Sequence, residues 1–156
     1  MKNNNVIYFS CYIDGEYALD YYSMLYYALH SLLAVYDNSF DIVVFYSFIN
    51  CHDDFDQYMH LGKYNLKRDF PNVNFIKSDY IDNYETSNKF GNTSMSDPWM
   101  SKWFHLPKLT EMGYSKIFFI DCDVIFFKNP SYIFEYSTEN IWSLGCGDKV
   151  FNNINA

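Results

Sequence analysis

Short apolar runs rich in β-branched and aromatic residues alternate along this chain with longer segments whose apolar residues recur at helical spacing. This alternation is typical of βαβ units, in which parallel strands form a sheet and helices cover its faces. The chain has 156 residues, enough for one such domain and too few for two. We therefore expect a single α/β domain over residues 1–156. The predicted strands are Asn5–Cys11, Asp41–Ser47, Val73–Ile76, Lys116–Ile120, Val124–Phe127 and Asn140–Leu144.

Helical segments are predicted between these strands, over 22–36, 53–70, 98–112 and 130–136. Asp97-Pro98 favours a helix start, because Asp caps the first turn and Pro fits the first helical position. Gly113 is expected to end that helix. Pro107 lies inside the same span, so we expect a kink there or two shorter helices.

The charge composition excludes some classes of partner. Lys and Arg number 11 against 19 Asp and Glu, for a net charge of −8, which repels nucleic acid and anionic membrane surfaces. No apolar run approaches the roughly 20 residues of a membrane span. Val6–Ile13 is too short and too polar for the core of a signal peptide. We expect a cytoplasmic protein without a nucleic-acid partner or a membrane span.

The 4 cysteines, Cys11, Cys51, Cys122 and Cys146, are scattered along the chain without a C-x-x-C pair. This spacing suggests neither a zinc site nor a disulfide framework. We expect reduced thiols in or near the core.

Two carboxylates, Asp121 and Asp123, follow directly after the apolar strand Lys116–Ile120. In an open α/β sheet, ligands bind outside the carboxyl ends of the strands, so both acids are placed where a ligand is expected. Their mutual repulsion is relieved by a hard cation such as Mg²⁺ or Mn²⁺, which carboxylates hold together with substrate phosphates. An acidic protein can thereby bind a diphosphate. The alternative is that both aspartates only cap the turn at the strand exit.

The elements around this acidic pair occur in a recognisable order: Lys116, the strand Ile117–Ile120, Asp121-Cys122-Asp123, the apolar stretch Val124–Phe127, the turn Asn129-Pro130, and Ile133-Phe134. This order resembles the D-x-D region of nucleotide-sugar glycosyltransferases of the GT-A fold, notably the glycogenin-like family (glycosyltransferase family eight). The resemblance implies a Rossmann-like GT-A fold with a mostly parallel central sheet. It also implies Mn²⁺ or Mg²⁺ as cofactor, a UDP-sugar as donor, and retaining transfer of a hexosyl group to a glycan or protein acceptor.

Several site residues follow from the same resemblance. Asp121 is expected to contact the metal or the ribose, and Asp123 to contact the metal directly. The first strand and the residues after it look like the part of the family that cradles the base. The residues implied at the nucleotide are Ser10, Cys11, Tyr17, Asp121 and Cys122.

The donor sugar and its phosphates are assigned by resemblance as well. Lys102 lies where the family carries a basic residue that reaches them. Phe151–Ala156 resembles the beginning of the family's F-N-A-G stretch, which places Asn155 and Ala156 at the sugar. The sequence stops before the Gly of that stretch, so we expect a GT-A-like domain shortened at its C-terminus, which binds the donor but transfers sugar inefficiently by itself.

Two other functions compete with this interpretation. One is a nucleotide-sugar-binding module that has lost transfer and works in an assembly or as a homo-oligomer. The other is a haloacid-dehalogenase-like phosphatase, whose first motif also reads strand-D-x-D, with Asp121 as nucleophile and Asp123 as general acid/base. Only 156 − 123 = 33 residues follow Asp123, too few for the later residues that such a phosphatase needs. His105, on the helix before the D-x-D strand, is expected to pack rather than to bind a metal.

Overall fold

The computed structural model describes residues 3–14, 18–49, 65–78 and 103–135. The predicted helix segments 53–64 and 98–102 and the predicted strand Asn140–Leu144 lie outside these residues. In chain order the elements are β1 (Asn5–Asp14), α1 (Ala18–Ala34), β2 (Asp41–Ile49), α2 (Leu66–Asp69), β3 (Asn74–Lys77), α3 (Leu106–Glu111), β4 (Lys116–Phe119) and a 3₁₀ helix (Pro130–Glu135). None of the described helices combines the length and the apolar character that crossing a membrane requires.

The four strands form one sheet in the order β3-β2-β1-β4, and every neighbouring pair is parallel. Val6 of β1 lies opposite Asp41 of β2, and Asn5 lies opposite Lys116 of β4. β2 and β3 therefore extend the sheet from one edge of β1, whereas β4 returns to the other edge. The strand order reverses at β1, which makes the carboxyl ends of β1 and β4 a topological switch point. The predicted α/β class with a parallel sheet is confirmed.

Alternate residues of each strand point to opposite faces of the sheet. Buried residues cover both of these faces. Ile7 and Phe9 of β1 belong to a cluster that packs against α1 through Leu25, Leu29 and Leu32. On the opposite face, the buried residues form a second cluster: Val6, Tyr8, Val43, Phe45, Leu109 and Tyr114. α3 contributes to this second cluster through Leu109. The near-continuous apolar character of the strands follows from burial on two sides.

The region of α3 confirms two features predicted from Pro and Gly. Trp103 and Phe104 are helical, His105 interrupts the helix, and α3 then begins at Leu106 with Pro107 in its first turn, where a missing N–H is tolerated. At the other end Gly113 adopts φ = 92°, a left-handed conformation that glycine takes without steric cost.

The stretch 124–127, predicted as a strand, is not one. The Phe126 N–H donates to Ser31 Oγ on α1 at 3.0 Å, so the chain packs against a helix rather than along a strand edge. Val124 and Phe126 pack against the core, whereas Ile125 and Phe127 are exposed. The alternation that suggested a strand therefore exists, but among the described residues the stretch pairs with no strand.

The packing of α1 predicts a large stability difference between two adjacent residues. Leu25 is 0% exposed and Met24 is 42% exposed. Leu25→Ala should lower the free energy of unfolding by about 2–5 kcal/mol, because a buried cavity remains. The control Met24→Ala should change it by about 0.5 kcal/mol or less. Urea unfolding followed by circular dichroism measures both, and equal effects would contradict the placement of α1.

Candidate functional site

The D-x-D turn lies beside the carboxyl-terminal half of β1. The Ile120 N–H donates to the Tyr8 carbonyl with an N···O distance of 3.0 Å, directly after the last residue of β4. Asp121, Cys122 and Asp123 follow, with a turn at Cys122 and Asp123. Because β1 continues in parallel to Asp14, the turn and the end of β1 meet at one edge of the sheet. The sequence-based placement of the acidic pair at a strand exit is confirmed.

Both carboxylates of the pair project outward, since Asp121 and Asp123 are exposed while Cys122 between them is half-buried. Elsewhere in this chain, capping side chains have clear partners: Asp37 Oδ1 accepts from the Ser39 N–H at 3.0 Å, and Asn65 Oδ1 from the Arg68 N–H at 2.9 Å. Among the described residues, neither Asp121 nor Asp123 accepts a hydrogen bond of this kind. Among the described residues, the pair therefore lacks the hydrogen bonds that characterise the caps at Asp37 and Asn65.

The donor set of the turn fits a hard cation that is shared with a ligand. Within residues 3–14, 18–49, 65–78 and 103–135, no three His, Cys, Asp or Glu side chains gather into a closed metal site. A closed structural zinc site needs four protein ligands. Mg²⁺ instead is commonly held by one or two carboxylates and completes its shell with phosphate oxygens and water. Asp121 and Asp123 satisfy that requirement.

Two free thiols lie under the acidic pair. Cys11 on β1 is buried, and Cys122 donates from Sγ to the Ser10 carbonyl at 3.8 Å. The pKa of the Cys122 thiol is raised, first by its hydrogen bond with the Cys11 thiol and then by burial, with smaller contributions from Cys11 and the two aspartates. Cys122 therefore remains a protonated, uncharged side chain at neutral pH. The expected location of these two thiols in or near the core is confirmed.

His105 belongs to the opposite face of the sheet. It is 3% exposed, and its ring stacks on Phe45 with centroids 4.0 Å apart and an interplanar angle of 4°. Its Nε2 lies 3.3 Å from Ser78 Oγ, which joins the start of α3 to the residue after β3. The expected packing of His105 is confirmed.

The structure thus brings together the acidic pair and the end of β1, through Ser10, Cys11, Asp121, Cys122 and Asp123. Tyr17, Lys102, Asn155 and Ala156, the other residues predicted at the nucleotide and the sugar, lie outside the described residues. Sequence reasoning missed the contact between the Cys122 thiol and the Ser10 carbonyl. These two residues are 112 positions apart, and only the strand order makes them neighbours.

A parallel sheet covered on both faces, with an acidic turn at its switch point, is that of a Rossmann-like α/β domain, a class in which ligands bind at the strand ends. Residues 60–154 match a family model described as nucleotide-diphospho-sugar transferase. This match covers more than half of the chain, which belongs to the nucleotide-diphospho-sugar transferase family. Its function is therefore of the glycosyltransferase type. Neither the curated proteins nor the solved structures include a significant match to the chain.

Only some of the predicted site residues lie within the part of the chain that matches the family model. Asp121, Cys122 and Asp123 lie within the matched residues 60–154, whereas Ser10 and Cys11 precede them. The pairing of β4 with β1 brings the two parts together.

The exposure of the acidic pair leads to a test of its role in folding. Asp121→Asn and Asp123→Asn should leave the melting temperature of the metal-free protein unchanged or slightly raised, because each removes a like-charge repulsion and no observed hydrogen bond. The control Asn65→Ala removes the side-chain cap of α2 and should cost about 0.5–2 kcal/mol. Differential scanning calorimetry without divalent cations compares the three variants. A loss at Asp121 or Asp123 as large as that at Asn65 would show a structural, turn-capping role.

Proposed function

We propose that this protein is a metal-dependent glycosyltransferase that uses a nucleotide diphosphate sugar, with uridine as the base, and transfers a hexosyl group to a glycan or protein acceptor. One observation carries the proposal: an exposed carboxylate pair lies at the switch point of the sheet in a chain that belongs to the nucleotide-diphospho-sugar transferase family. The same family membership favours transfer over the phosphatase chemistry that a D-x-D motif also allows.

Electrostatics supports the dependence on a metal. The protein carries a net charge of −8, and the two carboxylates at the site add to the repulsion of a diphosphate. In the proposal, Asp123 binds Mn²⁺ or Mg²⁺ directly, and Asp121 binds the ion or the ribose. When bound, the ion supplies the positive charge that stabilises the diphosphate leaving group. The two aspartates hold the ion where the strand ends place the diphosphate.

The end of β1 supplies the surface beside the nucleotide. Ser10 is half-buried and Cys11 is buried, directly next to the turn that carries the aspartates. We place the nucleotide against this strand end and Tyr17, and assign Lys102 to the phosphates. Asn155 and Ala156 are assigned to the donor sugar. This arrangement orients the anomeric carbon toward an acceptor, and orientation accounts for much of the catalysis available to such a site.

Nucleotide binding should depend on the metal. Uridine diphosphate at about 100 times its dissociation constant should stabilise the folded protein by about 2.7 kcal/mol, but only when Mn²⁺ or Mg²⁺ is present. Thermal unfolding with uridine diphosphate, guanosine diphosphate and either nucleotide plus chelator measures this dependence. Asp123→Asn, which retains the size of the side chain and removes its charge, should abolish the stabilisation. Equal stabilisation in excess chelator would contradict the metal bridge.

Transfer itself is tested by the release of uridine diphosphate from uridine diphosphate hexoses, with and without simple sugars, peptides and glycans as acceptors. Release that rises with an acceptor, together with a new glycoside detected by mass spectrometry, supports the transferase. Metal-dependent binding without release or product would show a binding module instead.

A further inference from the structure

The row of hydrogen bonds between β1 and β4 ends with a side-chain donor in place of a backbone N–H. Carbonyls of alternate residues from Asn4 onward face β4: the Asn4 carbonyl, directly before β1, accepts from the Lys116 N–H at 3.2 Å, and the Tyr8 carbonyl from the Ile120 N–H at 3.0 Å. In a parallel ladder, each next hydrogen bond joins a β1 carbonyl two residues further along β1 to an N–H two residues further along the neighbouring chain. By this rule the Ser10 carbonyl should accept from the Cys122 N–H. The side-chain thiol of Cys122 occupies that place instead, with Sγ 3.8 Å from the Ser10 oxygen.

This exchange of a backbone donor for a side-chain donor coincides with the turn at Cys122 and Asp123. A chain that leaves a sheet carries its N–H away from the neighbouring strand. At Cys122 the side-chain thiol therefore lies against the Ser10 carbonyl of β1, while the backbone turns away from the sheet. Cysteine suits the position because it combines the volume of a small apolar residue with a weak S–H donor.

The thiol also fixes the direction of its two neighbours. Cys122 packs against the core cluster that contains Phe9 and Cys11, whereas Asp121 and Asp123 on either side are exposed. The side chains of residues 121–123 therefore alternate between solvent, core and solvent. An inward anchor at Cys122 therefore directs both carboxylates outward together, against their mutual repulsion.

We propose that Cys122 is a positioning residue for the metal site: its thiol, hydrogen-bonded to the Ser10 carbonyl, holds the D-x-D turn in the arrangement in which Asp121 and Asp123 bind one cation. The proposal rests on the proposed function, because the groups held in position are the metal ligands of that function. Cys122 acts through its neighbours and not through a bond of its sulfur to the ion. Groups that orient metal ligands typically change metal affinity about 10–100-fold when removed.

The first experiment measures Mn²⁺ affinity by electron paramagnetic resonance in the presence of uridine diphosphate. Cys122→Val keeps an apolar side chain against the core and removes the donor, and should weaken Mn²⁺ binding about 10–100-fold. Cys122→Ser keeps a donor and should restore most of the affinity. The control Ile42→Val removes one carbon from the same core cluster, from a buried residue near the amino end of β2. It should lower the melting temperature and leave Mn²⁺ affinity unchanged.

The outcomes separate the two claims. If the wild-type protein binds Mn²⁺ and Cys122→Val binds it within twofold as tightly, the positioning role is overturned and the proposed function stands. If the wild-type protein with uridine diphosphate binds no Mn²⁺, the proposed function fails, and the positioning role fails with it. If Cys122→Val and Ile42→Val lose Mn²⁺ affinity in the same proportion, the effect is one of core packing, which also overturns the proposal.

A second measurement needs neither the metal nor a stable valine variant. The infrared S–H stretching band of Cys122 is obtained from the difference between the wild-type and Cys122→Ala spectra. A thiol that donates to the Ser10 carbonyl absorbs at lower frequency than a free thiol. A band at the free-thiol position would overturn the proposal.

Discussion

β1 is hydrogen-bonded along both edges, but over different lengths. Its register with β2 runs from Val6 to Asp14, whereas its register with β4 ends at Tyr8 opposite Phe119. β1 therefore extends past the end of β4, and the turn Asp121–Asp123 lies along the part of β1 that β4 does not pair with. The location of the acidic turn beside the end of β1 follows from this difference in length.

The site combines this geometry with an unfavourable charge. A parallel sheet buried on both faces leaves its strand ends as the place where polar side chains meet solvent. Two aspartates at that place repel each other and any phosphate. In the proposed function, a divalent cation removes both repulsions at once, which lets an acidic protein of the nucleotide-diphospho-sugar transferase family bind a diphosphate.

Local patterns predicted the parts of the fold that depend on neighbours in the sequence. The buried strands were found within a few residues, since Ile-Val-Val-Phe in β2 and Lys-Ile-Phe-Phe in β4 are strands by composition alone. Gly113 was predicted to end α3 because only glycine adopts its backbone conformation at no cost. The acidic pair was placed by its position after a strand.

The missed features depend on contacts between distant residues. Residues 124–127 have strand composition, but the Phe126 N–H bonds to Ser31 on α1, a contact that no local pattern contains. The thiol of Cys122 meets the Ser10 carbonyl only because β4 inserts beside β1 rather than beside β3. The order of strands in the sheet is a property of the whole domain, and the contact of Cys122 with Ser10 can be recognised only when that order is known.

Paramagnetic broadening by Mn²⁺ tests the central claim most directly. Amide resonances of the ¹⁵N-labelled protein are recorded with uridine diphosphate while Mn²⁺ is added in small amounts, with Mg²⁺ as the diamagnetic reference. The account predicts that signals at the carboxyl ends of β1 and β4, from Ser10, Cys11 and Asp121–Asp123, broaden first, and that those at the amino ends, such as Asp41 and Asn74, remain sharp. Broadening that begins at the amino ends, or that is uniform over the protein, would contradict a metal and nucleotide site at the switch point.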